Sequence, residues 1–311
     1  MTNVDLSFII NKKKGDITVI KLIVCDLDGT LLNKYQQLSK KSVEVMHCLN
    51  NHGIEFMMAT GRDYNMVIEY LEENNLKCDL ILNNGAQYMS SDHQDNRYFP
   101  MDEATTREVV KILLDHDFHL SMHTTKGKYY FEPTEDYFNH HYERIKVMFG
   151  DEDPSLYNAA FYRKDGYLRN SKHIDSLDEL FQDGAQLLKI DADCDNEESG
   201  LAALEALKKT NKILLSTSYA QYIEVCSNQS HKGGLLQTIC KEKGYQYDEV
   251  CVFGDSTNDI QMLELFENSF VPCNGHELAK QVGKYIIGNN NEDGVAIAIE
   301  KIIKEKNGID L

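Results

Sequence analysis

The sequence predicts an α/β protein, with a parallel-sheet core covered by helices on both faces and interrupted by a large inserted α+β unit. Two observations lead to this prediction. Apolar strand-like runs alternate with helix-like segments over 17–85 and again over 228–311, which is the pattern of βαβ units in a parallel sheet. Between them, over 86–227, closely spaced strands and turns indicate antiparallel pairing. A chain of 311 residues has room for two such units.

The first half of the core begins with an apolar, β-branched run over 17–25, which is typical of a strand buried on both faces. A helix capped by Ser39 should follow and end near Gly53. The remaining predicted elements are a strand over 54–59, a helix over 63–75 and a strand over 79–82. We expect residues 1–16 to form an irregular leader or an added edge element.

The insertion should begin with a hairpin whose strands cover 87–89 and 97–99. Its other predicted elements are helices over 103–117 and 198–209 and strands over 119–123, 128–132, 187–191, 212–216 and 222–225. Residues 133–183 show no clear pattern. In the second half of the core, we predict helices over 232–243, 258–266, 276–282 and 293–306, and strands over 249–253, 269–271 and 285–287.

Composition disfavours several classes of function. The 32 Lys and Arg against 50 Asp and Glu give a net charge of −18, which repels nucleic acid and anionic membrane surfaces at long range. No apolar run approaches the roughly 18 residues that cross a bilayer, and the apolar residues near the start precede the lysines, the wrong order for an export signal. Eight scattered cysteines favour free thiols in a reducing cytosol. We therefore expect a cytoplasmic protein whose main partner is neither nucleic acid nor a membrane.

Two acidic motifs directly follow predicted core strands. Asp26 and Asp28 are two residues apart in Asp-Leu-Asp-Gly-Thr-Leu, and Asp255 and Asp259 span a strand-to-helix junction in Gly-Asp-Ser-Thr-Asn-Asp. Close carboxylates repel each other unless a cation or a shared proton relieves them, and Mg²⁺ is the natural cation for oxygen ligands. For each motif alone a plainer interpretation stays open, namely a turn that ends a strand or a helix cap.

Two further motifs favour an anion. Thr60 and Gly61 precede a predicted helix, where backbone N–H groups attract anions. Lys232 begins another helix, a position unfavourable to a cation unless an anion is bound there. Taken singly, an ordinary cap and an exposed lysine are the alternatives. Because parallel strands end at one edge of the sheet, we expect all four motifs to form one site for a metal and a phosphate, with Asp26 as nucleophile.

These four motifs resemble those of the haloacid dehalogenase-like superfamily, in its Cof-type sugar-phosphate phosphatase branch. The resemblance covers about residues 20–305 and includes Asn-Asn-Gly-Ala at 83–86 and Glu-Asp-Gly-Val-Ala at 292–296. It implies a Rossmann-like core formed by 17–85 and 228–311, with 86–227 as an α+β cap that sets substrate specificity. It also implies that Mg²⁺ is the cofactor and that the substrate is a small phosphorylated metabolite, a sugar phosphate in particular.

The resemblance further implies a role for each motif residue. Asp26 would attack phosphorus and carry an aspartyl-phosphate, and Asp28 would protonate the leaving oxygen and later activate water. The metal would bind the side chains of Asp26 and Asp255 and the backbone carbonyl of Asp28, with Asp259 supporting these ligands. The implied phosphate-binding residues are Leu27 through its backbone amide, Thr60, Gly61, Lys232 and Asn258. For Arg62, a role in the site and a position on the helix surface both stay open.

Four polar residues of the insertion are candidates for contacting the leaving group, with solvated surface as the alternative for each: His123, Lys126, Arg163 and Lys164. Two other functions also stay open. In a phosphosugar mutase or another phosphotransferase, a sugar hydroxyl would attack the aspartyl-phosphate in place of water. A phosphate-ligand binding protein would keep the fold without catalysis, although it has no need of a second acid–base carboxylate.

Overall fold

The computed structural model of the protein describes residues 18–149 and 160–311. The strands, in chain order, are β1 (Leu22–Cys25), β2 (Glu55–Ala59), β3 (Asp79–Leu82), β4 (Gln87–Met89), β5 (Asn96–Tyr98), β6 (His119–Thr124), β7 (Gly127–Tyr130), β8 (Ser171–His173), β9 (Leu187–Asp193), β10 (Ile213–Tyr219), β11 (Tyr222–Ser227), β12 (Val250–Phe253), β13 (Asn268–Pro272) and β14 (Tyr285–Ile287).

The helices are α1 (Lys40–Asn51), α2 (Tyr64–Glu73), α3 (Glu103–Asp115), α4 (Thr134–Phe149), α5 (Lys164–Tyr167), α6 (Leu177–Gln182), α7 (Glu197–Leu207), α8 (Lys232–Lys243), α9 (Ile260–Leu265), α10 (Glu277–Val282) and α11 (Gly294–Asn307). Their ends follow from capping residues. Ser39 accepts a hydrogen bond from the Ser42 amide at the start of α1, and Asp63 does the same for Met66 in α2. Gly244, with φ +78°, ends α8 in the left-handed conformation.

The first sheet has eight strands in the order β14-β13-β12-β1-β2-β3-β4-β5. Its first six strands are parallel, and β4 and β5 add to one edge as an antiparallel hairpin. All residues of β1 and β12 are buried, as expected for strands covered on both faces. One face packs against Leu49 of α1 and Ile299 of α11, and the other against Leu236 of α8. The predicted α/β core with helices on both faces is confirmed.

The second sheet has six strands in the order β10-β11-β9-β6-β7-β8, antiparallel except for β7 and β8. One face is apolar and packs against α3, α6 and α7 through residues such as Val109, Leu180 and Leu207. The opposite face carries polar and charged side chains, among them His123 and Lys189. We call the unit built from β6–β11 and α3–α7 the cap.

The hairpin predicted over 87–99 is present, but its strands belong to the first sheet, because β4 pairs with β3. The expected start of the insertion at residue 86 therefore lies before these two core strands. Phe99 still donates its backbone N–H to Ala86, whereas Met101 donates to Leu187 of the cap. The backbone hydrogen bonds before Pro100 are made within the first sheet, and those after it are made with the cap. We propose Pro100 as the start of the cap.

Two other expectations concern less regular parts of the chain. Residues 133–183, which showed no clear pattern, contain α4, α5, α6 and β8 within their described part. The leader expected over 1–16 lies outside the described residues. Among the residues that the structure describes, no helix combines the length and the apolar character that crossing a bilayer requires.

Candidate active site

Asp26 follows β1 directly, and its side chain is 4% exposed. Lys232, at the start of α8 and completely buried, donates from Nζ to Asp26 Oδ1 at 2.5 Å and to Asp259 Oδ1 at 2.8 Å. The two carboxylates raise the pKa of Lys232 against the opposing effect of burial, so the lysine stays charged. The lysine that the sequence placed at an unfavourable helix end is therefore the buried counter-charge of two aspartates.

Asp255 follows β12 and faces the turn after β1. Thr30 Oγ1 donates to Asp255 Oδ1 at 2.9 Å. Gly29 has a φ of +77°, and a Cβ at this position would lie 2.4 Å from Asp255 Oδ2, so both conformation and space require glycine. Asp259 Oδ2 accepts hydrogen bonds from the backbone amides of Asp255 and Ser256 at 3.0 and 3.1 Å. Asp259 thus fixes both the loop and Lys232.

The carboxylates of Asp26, Asp255 and Asp259 each place an oxygen within 4.8 Å of the others. Burial raises the pKa of Asp26 well above its usual range; Lys232 opposes this effect, while Asp259 and Asp255 add to it. Burial and the Asp259 charge raise the pKa of Asp255 to about 7. Three close carboxylates with a single lysine form an excess of negative charge that a hard divalent cation would relieve. The oxygen donor set fits Mg²⁺.

Asp28 is held by Arg62, whose Nε and Nη2 donate to its two carboxylate oxygens at 2.8 and 2.6 Å. Arg62 is 9% exposed and also donates to the Tyr70 hydroxyl at 3.0 Å. Burial acts to raise the pKa of Asp28, but the charge and hydrogen bonds of Arg62 outweigh it, and the pKa is lowered. Of the two positions left open for Arg62, the structure places it inside the site and not on the helix surface.

A chain of amide hydrogen bonds joins this edge of the core to the cap. Asn258 Nδ2 donates to Asn84 Oδ1 at 3.0 Å, and Asn84 Nδ2 donates to Glu224 Oε2 of β11 at 2.9 Å. Gly61 packs against the same amide, because a Cβ there would lie 2.9 Å from Asn84 Oδ1. Thr60 is fully buried, and its hydroxyl accepts from the Arg62 amide at 3.1 Å.

A cavity of about 500 Å³ lies between the first sheet and the polar face of the cap. On the core side its walls include Asp26, Asp28, Gly61, Asp255 and Asn258. On the cap side they include His123, Lys128, Arg144, Lys189, Tyr222 and Glu224. Its volume is in the range of pockets that enclose small metabolites. Two carboxylates of the cluster, Asp26 and Asp255, therefore line the same cavity as the polar face of the cap.

Comparison with known proteins adds to this geometry. Residues 23–299 match the family model of haloacid dehalogenase-like hydrolases. The chain belongs to this family. The phosphatase YwpJ of Bacillus subtilis is 24% identical over 292 residues, covering 91% of this chain and 100% of the relative. The 5-amino-6-(5-phospho-D-ribitylamino)uracil phosphatase YwtE of the same bacterium is 24% identical, with 91% and 98% covered.

A solved structure of a haloacid dehalogenase-like hydrolase from B. subtilis matches with a TM-score of 0.80 at 23% identity, covering 90% of this chain and 99% of that one. This likeness agrees with the two-sheet α/β architecture. The family suggested by the four sequence motifs is therefore confirmed, and so is the prediction of a hydrolase.

The core residues predicted for the active site of this haloacid dehalogenase-like hydrolase lie at the carboxyl edge of the parallel sheet, as the order of strands and helices predicts. Asp26 and Thr60 each follow a strand directly, Asp255 follows β12 after Gly254, and Lys232 reaches the same point from α8. The side chain of Leu27 is buried in the core below them. The chemical roles of these residues remain predictions.

The four cap candidates separate into two groups. His123 lines the cavity, between Asp63 of the core and Asp191 of the cap, each 2.9 Å from a ring nitrogen. The other three lie outside the cavity wall formed by the described residues: Lys126 donates to the Asp183 carbonyl, Arg163 pairs with Glu69 at 2.8 Å, and Lys164 pairs with Glu135 at 2.5 Å.

Sequence reasoning missed several residues of the cavity. They are Asp63, Lys128, Arg144, Lys189, Asp191, Tyr222 and Glu224. Part of this set has a readable pattern, because Lys189 and Asp191 alternate with the apolar Leu188 and Ile190 along β9. Such alternation predicts a polar sheet face, and in an antiparallel sheet that face ordinarily contacts water. The alternation alone does not show that this face turns toward the core.

Proposed function

We propose that the protein is a Mg²⁺-dependent phosphatase that hydrolyses small phosphorylated metabolites, sugar phosphates in particular, through an aspartyl-phosphate on Asp26. The observation that carries the proposal is the position of Asp26 at the cavity wall, in contact with Lys232 and beside two further carboxylates. Family membership and the names of the curated relatives support the same reaction class.

The surroundings of Asp26 suit a nucleophile. Lys232 holds Oδ1, which leaves Oδ2 to approach phosphorus along the cavity. The lysine favours the ionised form of Asp26, which is the nucleophilic one. Mg²⁺, bound by Asp26, Asp255 and the carbonyl of Asp28, would offset negative charge on the phosphoryl oxygens and on the carboxylates themselves.

The reaction then proceeds in two displacements. Asp26 forms a bond to phosphorus as the ester P–O bond breaks, and Asp28 gives its proton to the leaving oxygen. Water next attacks phosphorus, Asp28 accepts a proton from it, and the bond between Asp26 and phosphorus breaks to release phosphate. The Arg62 pair favours ionised Asp28, the form that accepts this proton. In the first displacement the contact with Arg62 must loosen so that Asp28 can carry a proton.

The phosphoryl oxygens would be bound by Thr60, Gly61, Asn258 and the backbone amide of Leu27. Asn258 and Gly61 line the cavity beside Asp26, which supports this assignment. The cap would cover the phosphate and keep bulk water from the aspartyl-phosphate. We propose a cytoplasmic setting for the reaction, which suits eight free cysteines.

A phosphate-release screen over phosphorylated sugars, nucleotides and cofactors, with Mg²⁺ or with EDTA, tests the proposal. We expect Mg²⁺-dependent release that Asp26→Asn abolishes and that Asp115→Asn, at an exposed ion pair of α3, retains. Absence of Mg²⁺-dependent release across the panel, or full activity of Asp26→Asn, would contradict it. Addition of a free sugar acceptor identifies a phosphotransferase, because a new sugar phosphate would then replace inorganic phosphate.

A further inference from the structure

The cap end of the cavity contains a buried lysine that the proposed chemistry does not use. Lys128 lies in β7, is 2% exposed and lines the cavity. Its Nζ donates to the backbone carbonyl of Tyr167 at 2.7 Å and lies 3.3 Å from the centre of the Tyr167 ring. An ammonium has three N–H groups, and these two contacts do not use all of them, so Lys128 can donate further hydrogen bonds.

The other cations of this wall have carboxylate partners. Lys189 pairs with Asp191 at 2.8 Å and with Glu224 at 3.3 Å. Arg144 pairs with Asp193 at 3.1 Å. Among the residues in 18–149 and 160–311, Lys128 forms no such ion pair, so its charge is uncompensated at short range.

A buried ammonium without a close counter-charge is unfavourable for folding, because its hydration is lost without replacement. Burial lowers the pKa of Lys128 to about 7, although the more distant charges of Asp63 and Asp191 act to raise it. A methionine would fill the same space without this penalty. Strongly perturbed groups in a cavity are characteristic of functional sites, which indicates that Lys128 is kept for a ligand.

A second cation at the same wall also has unused donor capacity. Arg144 extends from α4 into the cavity wall with its guanidinium 5.2 Å from the centre of the Tyr222 ring. Its Nε is buried and has no hydrogen-bond partner in the described part of the chain. Lys128 and Arg144 therefore bring two cationic groups to the cap side of the cavity, whereas Asp26 lies on its core side.

We propose that Lys128 and Arg144 bind a second anionic group on the leaving group, so that the preferred substrates are phosphomonoesters carrying a further carboxylate or phosphate. The inference rests on the proposed phosphatase function and narrows its substrate class. An anion at this end supplies the missing counter-charge to Lys128, and the guanidinium of Arg144 adds positive charge at the same wall. A neutral polyol supplies hydroxyl acceptors but no charge, so it binds Lys128 less strongly.

Binding to the Asp26→Asn variant with Mg²⁺ tests this inference without turnover. Calorimetry compares two matched pairs, 3-phosphoglycerate with glycerol 3-phosphate, and glucose 1,6-bisphosphate with glucose 6-phosphate. The first pair tests a distal carboxylate and the second a distal phosphate. We expect the doubly anionic member of at least one pair to bind about 10-fold or more tighter, as for hydrogen bonds to charged groups. Equal affinities within both pairs would overturn the inference.

The role of Lys128 itself is tested by Lys128→Met in the same background. We expect the ratio between the affinities for the doubly and the singly anionic ligand to fall toward one. Lys128→Arg, which keeps the positive charge, should retain most of this preference. Lys172→Met, at an exposed lysine in the neighbouring strand β8, is the matched control and should leave the ratio unchanged. A ratio that Lys128→Met leaves intact would overturn the assignment.

Stability separates a ligand-binding role from a structural one. Without ligand, Lys128→Met should show an unchanged or higher Tm, because a buried charge is removed and the packing volume is kept. A lower Tm together with an unchanged affinity ratio would show that Lys128 is structural. Absence of phosphate release by the wild type would contradict the proposed function instead. The ratio of affinities for the doubly and singly anionic ligands tests only the site at Lys128 and Arg144, so the two failures can be told apart.

Discussion

The two ends of the cavity are built in different ways. At the core end, Asp26, Thr60 and Asp255 lie within two residues of the ends of parallel strands, so the topology of the sheet brings them together. At the cap end, Lys128 and Glu224 lie within antiparallel strands and project from one face of the sheet. The core end is therefore fixed by backbone geometry, whereas the cap end depends on which side chains occupy alternate strand positions.

This difference separates reaction from recognition. Changing a core residue disturbs loops that are also held by glycine conformation and by buried ion pairs, as at Gly29 and Lys232. Changing a cap residue alters one position on a sheet face while the strand pairing stays the same. We expect substitutions at the core end to affect turnover and stability together, and substitutions at the cap end to affect mainly the choice of substrate.

The largest combined effect is expected for Lys232→Met at the core end. The change leaves Asp26 and Asp259 buried without their counter-charge, which should lower the free energy of unfolding by about 3–5 kcal/mol. We also expect kcat to fall by about 100-fold or more, because charge developing in the transition state loses its stabilisation. Denaturant unfolding and steady-state kinetics measure both effects. Lys241→Met, exposed in the last turn of α8, should change neither.

A smaller effect is expected for Arg62→Lys, which keeps the charge but not the paired hydrogen bonds to Asp28. We expect kcat to fall by about 10- to 100-fold where hydrolysis of the aspartyl-phosphate limits the rate. Because Arg62 lowers the pKa of Asp28, weakening the pair should raise that pKa and move the acidic limb of the kcat profile to higher pH, since ionised Asp28 is the base in that step. An unchanged profile and rate would show that the pair has no part in positioning Asp28.

The hydrogen-bond chain between the two ends offers a third test. Asn84 has a φ of +56°, so Asn84→Gly removes the side chain without straining the backbone. With the link from Asn258 to Glu224 lost, we expect kcat/KM to fall by about 10-fold. Asn75→Gly, at another left-handed asparagine beyond α2, serves as the control and should keep full activity. Equal activity of both variants would show that the two ends act independently.

The smallest effect concerns the bridge of His123 between Asp63 and Asp191. Burial lowers the pKa of His123, but the two carboxylates outweigh it and the pKa is raised. The bridge should therefore stabilise the fold fully below about pH 6.5 and lose this contribution as the pH rises through the raised folded-state value. Between pH 6 and pH 9, the free energy of unfolding of the wild type should fall by up to about 1 kcal/mol relative to that of His123→Gln. If the free energies of unfolding of the wild type and His123→Gln changed with pH in parallel, the stabilising role of the bridge would be contradicted.

The same contrast explains what the sequence could predict. The core motifs were found because each stands at the junction of a strand and a helix, where polar residues are conspicuous beside apolar runs. The burial and pairing of Arg62 were not predictable, because they depend on Asp28 after β1, Gln36 before α1 and Tyr70 within α2. The order of the elements was predicted well; α8, for example, spans the predicted residues. The hairpin of β4 and β5 was nevertheless assigned to the insertion, because the local sequence does not indicate which strand a hairpin pairs with.

The cap end was harder because its strands show the same alternation as an ordinary solvent-facing sheet. Lys128 and Lys189 would be unremarkable on an exposed face, yet both are buried, and Tyr167 of α5 covers Lys128. His123 was identified as a candidate from its residue type alone. Its two carboxylate partners are the N-cap residue of α2 and a residue of β9, which are far apart in the sequence.

The central claim is that Asp26 takes up the phosphoryl group, and acid-quench trapping measures this directly. With Asp28→Asn, which should slow hydrolysis of the intermediate, a radiolabelled phosphate ester is mixed with enzyme and Mg²⁺, quenched in acid and mapped by peptide. We predict label on the peptide that contains Asp26, and none when Asp26→Asn is added to the same variant. Phosphate release by the wild type without any label at Asp26, or label that persists in the double variant, would contradict the account.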